Sequence, residues 1–243
     1  MATTPVTPYP GQDGSKKEQV ARMFDNISPK YDLLNRVLSF GIDQYWRKVA
    51  IGMLRSQNPK HILDVATGTA DFAIAALALN PQKVVGVDIS AGMLDMGRVK
   101  LKERNLIERI ELVQADSARL PFSDQQFDAA TVAFGVRNFE VLGDGLADIY
   151  RVLRPNGKLI VLEFSKPTLF PVKQLYYLYS RYVLPLIGRT ISRDKTAYTY
   201  LPESVAAFPE GKDFLDHMEQ VGYRNLQQKR LTFGICSIYS GQK

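Results

Sequence analysis

Short β-rich runs alternate with helical stretches between residues 61 and 164, and this alternation restricts the fold more than any other feature of the chain. The predicted strands are HILDV, KVVGVD, IELVQA, FDAATVAF and KLIVLEF. Predicted helices fall between them near 71–79, 91–104 and 143–153, and the turn RPNG closes the last one. Strands that alternate with helices build βαβ units, so the sequence predicts an α/β fold with five parallel strands.

Helical additions flank this region. Ser15 and Glu18 form a candidate capping box, and helical spacing continues to about residue 57 with breaks at SPK and SFG. Residues 165–219 form a helical, aromatic-rich insert. The chain ends in two strand-like runs, YRNLQQKRL and FGICSIYSGQ, without room for a helix between them. These two runs are therefore predicted to form an antiparallel hairpin.

We predict one domain over residues 16–243, because a chain of 243 residues suffices for a single large core. Its predicted parts are a helical extension (16–58), an α/β core (59–164), the insert (165–219) and the C-terminal strands (220–243). Residues 1–15 are rich in Pro, Thr and Gly and predict a flexible tail rather than a targeting segment.

The amino-acid composition limits which cofactors, binding partners and cellular locations are expected. Cys236 is the only cysteine and the chain has two histidines, so we expect no internal disulfide and no metal cofactor, and a reducing, cytoplasmic location fits. No run reaches the roughly 18 apolar residues of a membrane span. The net charge of +6 is compatible with nucleic acid or anionic lipid, but basic residues alternate with acids, as in RVKLKERNLIERIE. We therefore do not expect a nucleic-acid partner.

The loop LDVATGTADFA (63–73) follows the first predicted strand, where open α/β sheets bind ligands. It has neither the G-x-G-x-x-G fingerprint of a dinucleotide loop nor the Gly-Lys-Ser/Thr end of a P-loop. It matches instead the pattern acid-x-small-x-Gly-x-small, through Asp64, Ala66, Gly68 and Ala70. Small residues let the backbone approach a ligand, and the acids favour a cationic or zwitterionic ligand.

Acidic residues also end the next two strands. Asp88 is placed to accept hydrogen bonds from ribose hydroxyls, and Asp116 with Ser117 offers an acceptor and a donor to adenine. A ribose, an adenine and a cation without phosphate describe S-adenosylmethionine. The motifs LDVATGTAD, VVGVDIS, VQADSARLPF and FDAATVAF together resemble class I methyltransferases. The resemblance implies a Rossmann-like fold with a mostly parallel seven-stranded sheet and an antiparallel C-terminal hairpin.

FGVRNF (134–139) follows the fourth strand, where this architecture is expected to meet its methyl acceptor. Arg137 cannot act as a base at any ordinary pH. Its guanidinium can instead stabilise an oxyanion and lower the pKa of a phenol from its usual value of about 10. The motif is therefore compatible with a phenolic acceptor, and a surface arginine at the start of a loop is the alternative.

Four segments together resemble closely the ubiquinone/menaquinone biosynthesis C-methyltransferase family, from about residue 16 to the C-terminus. They are KYDLLNRVLSFGIDQYWR, FGVRNF, YRVLRPNGKLIVLEFSKP and YTYLPESVAAFP. The resemblance implies methylation of a ring carbon of a polyprenylated quinol, and DVATGTADF favours demethylmenaquinol. The benzoquinol of ubiquinone biosynthesis, another phenol or a sterol stay open as acceptors. A module that binds the cofactor without catalysis is a further alternative.

The resemblance also implies the cofactor residues. Beside Gly68 of the loop, the family's contacts fall on Thr69, Asp88, Asp116 and Ser117. Ala70 stands where many members have a glycine, and alanine still meets the requirement for a small residue.

A reduced quinol attacks a sulfonium whereas an oxidised quinone does not, and methyl transfer needs mainly alignment and charge placement. We hypothesise that Arg137, held by Asn138, stabilises the developing phenolate while Tyr31 closes over the site. Water and Asp32 are the alternatives for a general base.

The insert carries apolar and aromatic residues at helical spacing, namely Leu175, Leu178, Tyr179, Tyr182 and Leu186, with a break at Pro185. Such a stripe is typical of packed core, and the alternative is a groove for the polyprenyl tail. Because a polyprenylated acceptor resides in the bilayer, peripheral contact with the inner face of the cytoplasmic membrane is chemically sensible. Self-association stays open.

Overall fold

Seven strands form one sheet in the part of the chain that the computed structural model describes, residues 6–183 and 196–243. The strands are β1 His61–Val65, β2 Lys83–Asp88, β3 Ile110–Gln114, β4 Phe127–Ala133, β5 Leu153–Phe164, β6 Arg224–Leu231 and β7 Cys236–Gln242. Their order is β3-β2-β1-β4-β5-β7-β6. Strands β1 to β5 are parallel, and β7 is antiparallel to both of its neighbours. The predicted fold class, including the C-terminal hairpin, is confirmed.

Helices cover both faces of the sheet. Those of the α/β region are α4 Asp71–Ala76, α5 Ala91–Glu103 and α6 Leu142–Val152. Alternation along β1 divides its buried side chains between two cores: Leu63 packs with the core beneath α6, and Ile62 packs with the core beneath α4. This period of two is what a strand that is buried on both faces requires.

The predicted turn RPNG lies inside β5 as a bulge. Helix α6 ends at Val152, and β5 pairs at once with β4 through Leu153 and Phe127. Between this pair and the pair Lys158–Ala129, β5 advances five residues while β4 advances two. Asn156 adopts a left-handed φ of 65°, which asparagine tolerates better than most residues. The turn-forming residues therefore bend the strand instead of separating it from the helix.

The N-terminal extension consists of α1 Lys16–Ile27, α2 Tyr31–Leu38 and α3 Ile42–Gly52. The capping box of Ser15 and Glu18 is present, and the predicted breaks at SPK and SFG are both found. The segment predicted as a flexible tail lies, from residue 6 on, against α1. The Tyr9 amide donates to Gln19 Oε1 at 2.9 Å, a long-range contact that composition does not reveal.

The insert contributes α7 Val172–Leu178, a π-helical turn at Tyr179–Val183, α8 Thr196–Ala207 and α9 Lys212–Val221. Pro185 and Leu186, the end of the predicted apolar stripe, lie outside the described residues. Across the described ranges, each helix is too short or too polar to cross a bilayer.

Candidate active site

A small cavity of about 70 Å³ lies at the carboxyl edge of the sheet, where the strand order reverses between β1 and β4. The residues after four strands line it, including Gly68 after β1, Asp88 and Ile89 at the end of β2, Ser117 after β3, and Gly135 and Asn138 after β4. The N-terminal extension covers it through Val20, Phe24 and Tyr31. The structure thus brings together Gly68, Asp88, Ser117, Asn138 and Tyr31 from the predicted site.

The small residues after β1 make a tight turn. Ala66, Gly68 and Ala70 all have positive φ, at 54°, 57° and 70°. A Cβ on Gly135 would lie 2.4 Å from the Ala66 Cβ, so the β4 loop must have glycine there to approach the β1 loop. Above Gly68, the Tyr31 ring would lie 3.7 Å from an added Cβ. Gly68 therefore lines the cavity with its backbone, and the Tyr31 ring covers it.

Two carboxylates of the loop LDVATGTADFA, Asp64 and Asp71, bind other residues of the protein and do not line the small cavity. Asp64 is fully buried and accepts hydrogen bonds from Thr67 and Thr131 at 2.6 Å each. Burial raises its pKa to about 6, against the effect of these hydrogen bonds. Asp71 binds Lys100 at 2.6 Å. Both acids therefore have partners within the protein, Asp64 two threonines and Asp71 a lysine, and they contribute negative charge near the loop without lining the small cavity.

Asp88 is the carboxylate that faces the small cavity. Its Oδ2 accepts from the Gly68 amide at 2.7 Å, and its Oδ1 accepts from the Ser90 amide at 2.9 Å. Burial raises the pKa of Asp88, and these amides oppose the rise. The side chain is thus fixed at the end of β2 and is joined to the β1 loop.

Thr69 and Asp116 are directed to other partners. The Thr69 hydroxyl donates to Asp32 at 2.5 Å and accepts from Lys100 at 3.0 Å. Lys100 also pairs with Asp32 at 2.6 Å. Asp116 forms an ion pair with Lys17 of α1 at 3.1 Å. Asp32, the alternative general base, is consequently engaged by a cation and a hydroxyl.

Arg137 lies on a 3₁₀ turn, Val136–Asn138, directly after β4. Its Nη1 donates to Glu163 Oε1 at 2.8 Å and to the Phe134 carbonyl, and its Nε donates to Ser204 at 3.3 Å. Glu163 is fully buried; burial raises its pKa, and the charge of Arg137 opposes that rise. None of these contacts uses Nη2.

Asn138 is bound to α8 and not to Arg137, because its Oδ1 accepts from the Tyr200 hydroxyl at 3.1 Å. The residue that holds Arg137 is Glu163, which the sequence interpretation missed. Its signal was a single acid inside the apolar strand KLIVLEF. Tyr200 and Ser204 were also missed, although they stand four residues apart on one helix and reach the same motif.

Next to the small cavity lies a large one of about 380 Å³, lined mainly by apolar and aromatic side chains. Phe24, Tyr31 and Phe134 line both cavities. Arg137 and Arg47 are the arginines in the described lining of the large cavity. Burial raises the pKa of the Tyr31 hydroxyl, while the charges of both arginines lower it. Positive charge from both guanidinium groups therefore reaches the Tyr31 hydroxyl, and Tyr31 lines both cavities.

The chain is similar to known methyltransferases over almost its whole length. Residues 12–243 match the model of the ubiE/COQ5 methyltransferase family. The demethylmenaquinone methyltransferase of Bacteroides fragilis is 48% identical over 239 residues, which is 98% of this chain and 97% of the relative. The ubiquinone/menaquinone biosynthesis C-methyltransferase UbiE of Geotalea daltonii is 44% identical over 230 residues, 94% of this chain and 97% of the relative.

Solved structures share the fold at low sequence identity. A SAM-dependent methyltransferase of Thermotoga maritima superposes with a TM-score of 0.62 at 17% identity, covering 91% of this chain and 98% of the other. At this identity the similarity establishes the class I methyltransferase fold alone.

Proposed function

The chain belongs to the ubiE/COQ5 methyltransferase family, and we propose that it transfers a methyl group from S-adenosylmethionine to a ring carbon of demethylmenaquinol. The chain is an S-adenosylmethionine-dependent methyltransferase of menaquinone or ubiquinone biosynthesis. The choice of demethylmenaquinol over the benzoquinol of ubiquinone biosynthesis is the more specific part of the proposal. It is supported by the relative from Bacteroides fragilis, which is named a demethylmenaquinone methyltransferase.

The lining of the small cavity suits S-adenosylmethionine chemically, and its volume of about 70 Å³ holds one part of the ligand, because cofactor sites typically reach about 300 Å³ or more. Its described lining has Asp88 as its charged side chain and contains no cation, and Gly68 lines it without a side chain. Asp88 and Ser117 would hold the ligand from the ends of β2 and β3, and Gly68 would approach it by its backbone. Thr69 would support the site through its hydrogen bonds with Asp32 and Lys100. Asp116 would do so through its ion pair with Lys17. When bound, the ligand supplies a sulfonium methyl group.

One observation carries the acceptor assignment: a small polar-edged cavity meets a large apolar one at Tyr31 and Phe134, with Arg137 beside the junction. A quinol ring in the large cavity would place a phenolic oxygen near a guanidinium that stays charged at any ordinary pH. Glu163 and Ser204 hold that guanidinium in place. Arg137 would thereby favour the phenolate, which increases electron density on the adjacent ring carbon.

The polyprenyl tail would occupy the large cavity where the insert lines it. Leu175 and Tyr179 of the predicted stripe line this cavity, and the Tyr179 hydroxyl donates to the Leu38 carbonyl at 2.7 Å. The insert and the N-terminal extension are thus joined along the cavity. Phe40 and Phe170 lie next to this region and form an apolar rim, with exposures of 78% and 80%. We infer that this apolar rim contacts the bilayer from which the acceptor comes.

The decisive experiment incubates the protein with S-adenosylmethionine labelled in its methyl group and with each reduced acceptor, demethylmenaquinol or the demethylated benzoquinol. We expect label on the ring carbon of the naphthoquinol and a lower kcat/KM for the benzoquinol. The same acceptors kept oxidised serve as controls and should stay unlabelled. Label on the benzoquinol alone would overturn the proposed acceptor, and label on neither would overturn the proposed reaction.

A further inference from the structure

Arg47 of α3 is a buried cation that the proposed chemistry has not used. Its side chain is 9% exposed, and its Nε and Nη1 atoms are buried without a hydrogen-bond partner among the described residues. Its closest acid is Asp43, with Nε and Oδ2 3.8 Å apart, while Asp43 Oδ1 accepts from Ser39 at 2.7 Å. Asp43 thus provides a counter-charge to Arg47 but no hydrogen bond.

An unsatisfied guanidinium in apolar surroundings is costly, because burial removes its hydrogen bonds to water. Arg47 lines the large cavity, so a ligand there can offer an acceptor to its guanidinium group. The guanidinium lies over the Phe134 ring, 5.4 Å from the ring centre. Aromatic contact fixes its position without satisfying its N–H groups.

Arg47 and Arg137 lie against the two rings of one aromatic pair. The Phe134 and Phe164 ring centres are 4.5 Å apart, and Arg137 lies 5.6 Å from the centre of Phe164. Both arginines thus line one cavity beside this pair, which is the arrangement that a ligand with two ring oxygens needs in order to meet both.

We propose that Arg47, which lines the large cavity, anchors the second oxygen of the quinol ring through its guanidinium group. This inference rests on the proposed function. A 1,4-quinol carries its oxygens on opposite ring carbons, so Arg137 takes the oxygen next to the carbon that is methylated. Arg47 takes the oxygen next to the prenylated carbon, and the tail then extends along the part of the cavity that the insert lines. Arg47 is accordingly a substrate-anchoring residue that fixes which ring carbon faces the methyl group.

The test compares Arg47→Met and Arg47→Lys with wild type, and Arg55→Met, an exposed arginine after α3, serves as the control. A hydrogen bond to a charged donor is worth roughly a 10- to 100-fold change in affinity. We expect Arg47→Met to raise the KM for demethylmenaquinol by that factor with a smaller change in kcat, and Arg47→Lys to fall between. Affinity for S-adenosylmethionine, measured by calorimetry, should stay at the wild-type value in all three variants.

A substrate analogue without the second oxygen, a prenylated 1-naphthol, separates anchoring from a merely structural role. Wild type should bind it as weakly as Arg47→Met binds the complete quinol, and the variant should not distinguish the two ligands. Binding is read under reducing conditions from the change in fluorescence of Trp46, the only tryptophan, which lines the large cavity. An unchanged KM in Arg47→Met, or an equal loss for both ligands, would overturn the proposal.

Failure of the proposed function gives a different result. In that case wild type itself would methylate no quinol, and the quinol would leave Trp46 fluorescence unchanged. A wild type that methylates the quinol beside an Arg47→Met variant of unchanged KM would refute the Arg47 assignment alone.

Discussion

Arg137 and Glu163 form an ion pair with almost no access to water, with side-chain exposures of 7% and 0%. Removal of one partner of a buried pair leaves an uncompensated charge. Glu163 therefore compensates the buried charge of Arg137 and holds the guanidinium beside the large cavity.

Glu163→Gln is expected to destabilise the protein by about 3–5 kcal/mol in urea unfolding, because the Arg137 charge loses its counter-ion. Turnover should fall roughly 10- to 100-fold, since a displaced guanidinium no longer meets the phenolic oxygen. Glu111→Gln is the control, because the pair Glu111–Lys83 lies at the surface, where such pairs contribute about 0–1 kcal/mol. Equal stability losses in the two variants would contradict the role of Glu163.

Asp64 has a raised pKa in the folded protein, about 6 against an ordinary 3.8, so the folded state binds a proton more tightly than the unfolded state. The contribution of Asp64 to the unfolding free energy therefore falls as pH rises from about 4 to about 6. The change is on the order of 3 kcal/mol.

Asp64→Asn should remove this pH dependence, because an amide does not titrate. The measurement is the unfolding free energy of both proteins from pH 4 to 7, in which wild type should lose stability relative to the variant as pH rises. The exposed Asp144→Asn should reproduce the wild-type profile. A constant difference between wild type and Asp64→Asn over this range would show that Asp64 does not titrate there.

At the scale of elements, Lys100 of α5 links three segments of the site. It contacts Asp32 of α2, Thr69 of the β1 loop and Asp71 of α4, at 2.6, 3.0 and 2.6 Å. Tyr31, the first residue of α2, lies over Gly68 of the same loop. The cluster thus fixes the lid helix relative to the loop that it covers.

Lys100→Met should leave Asp32 and Asp71 without their shared cation and loosen α2. We expect a loss of about 1–3 kcal/mol in unfolding free energy, because Asp32 is partly exposed and its charge is partly solvated. Hydrogen exchange of the α2 amides should accelerate more than that of the sheet. Lys102→Met, exposed on the same helix, should change neither quantity; exchange that accelerates equally in α2 and the sheet would argue against a local link.

Patterns among residues close together in the sequence predicted most of the helices and strands. The strands β1 and β2, the breaks of the N-terminal helices and the capping box depend on residues within a few positions of each other, so their patterns are visible in the sequence. RPNG was misread because the bulge depends on pairing with β4. Glu163 lies 26 positions from Arg137, and Ser204 lies 67 positions from it, so only the fold reveals that they meet.

For the whole molecule, the position of exposed apolar surface matters more than the net charge. Leu169 and Phe170 are 63% and 80% exposed and precede α7, whose first residue, Val172, lines the large cavity. Exposed apolar residues at a cavity entrance are typical of a surface that docks on a membrane or another apolar partner. A bilayer at this surface would deliver a polyprenylated acceptor without passage through water.

The double variant Leu169→Ser/Phe170→Ser should weaken binding to phosphatidylcholine vesicles containing anionic lipid by at least about tenfold, because burial of one large apolar side chain is worth about 1.5–3 kcal/mol. Co-sedimentation at low and high salt measures the apolar and the charge-dependent parts separately. The control is Val99→Ser/Ile107→Ser, which removes exposed apolar surface on and after α5. Equal loss in both double variants would show non-specific adhesion, and vesicle binding that is retained by Leu169→Ser/Phe170→Ser would place the membrane contact elsewhere on the molecule.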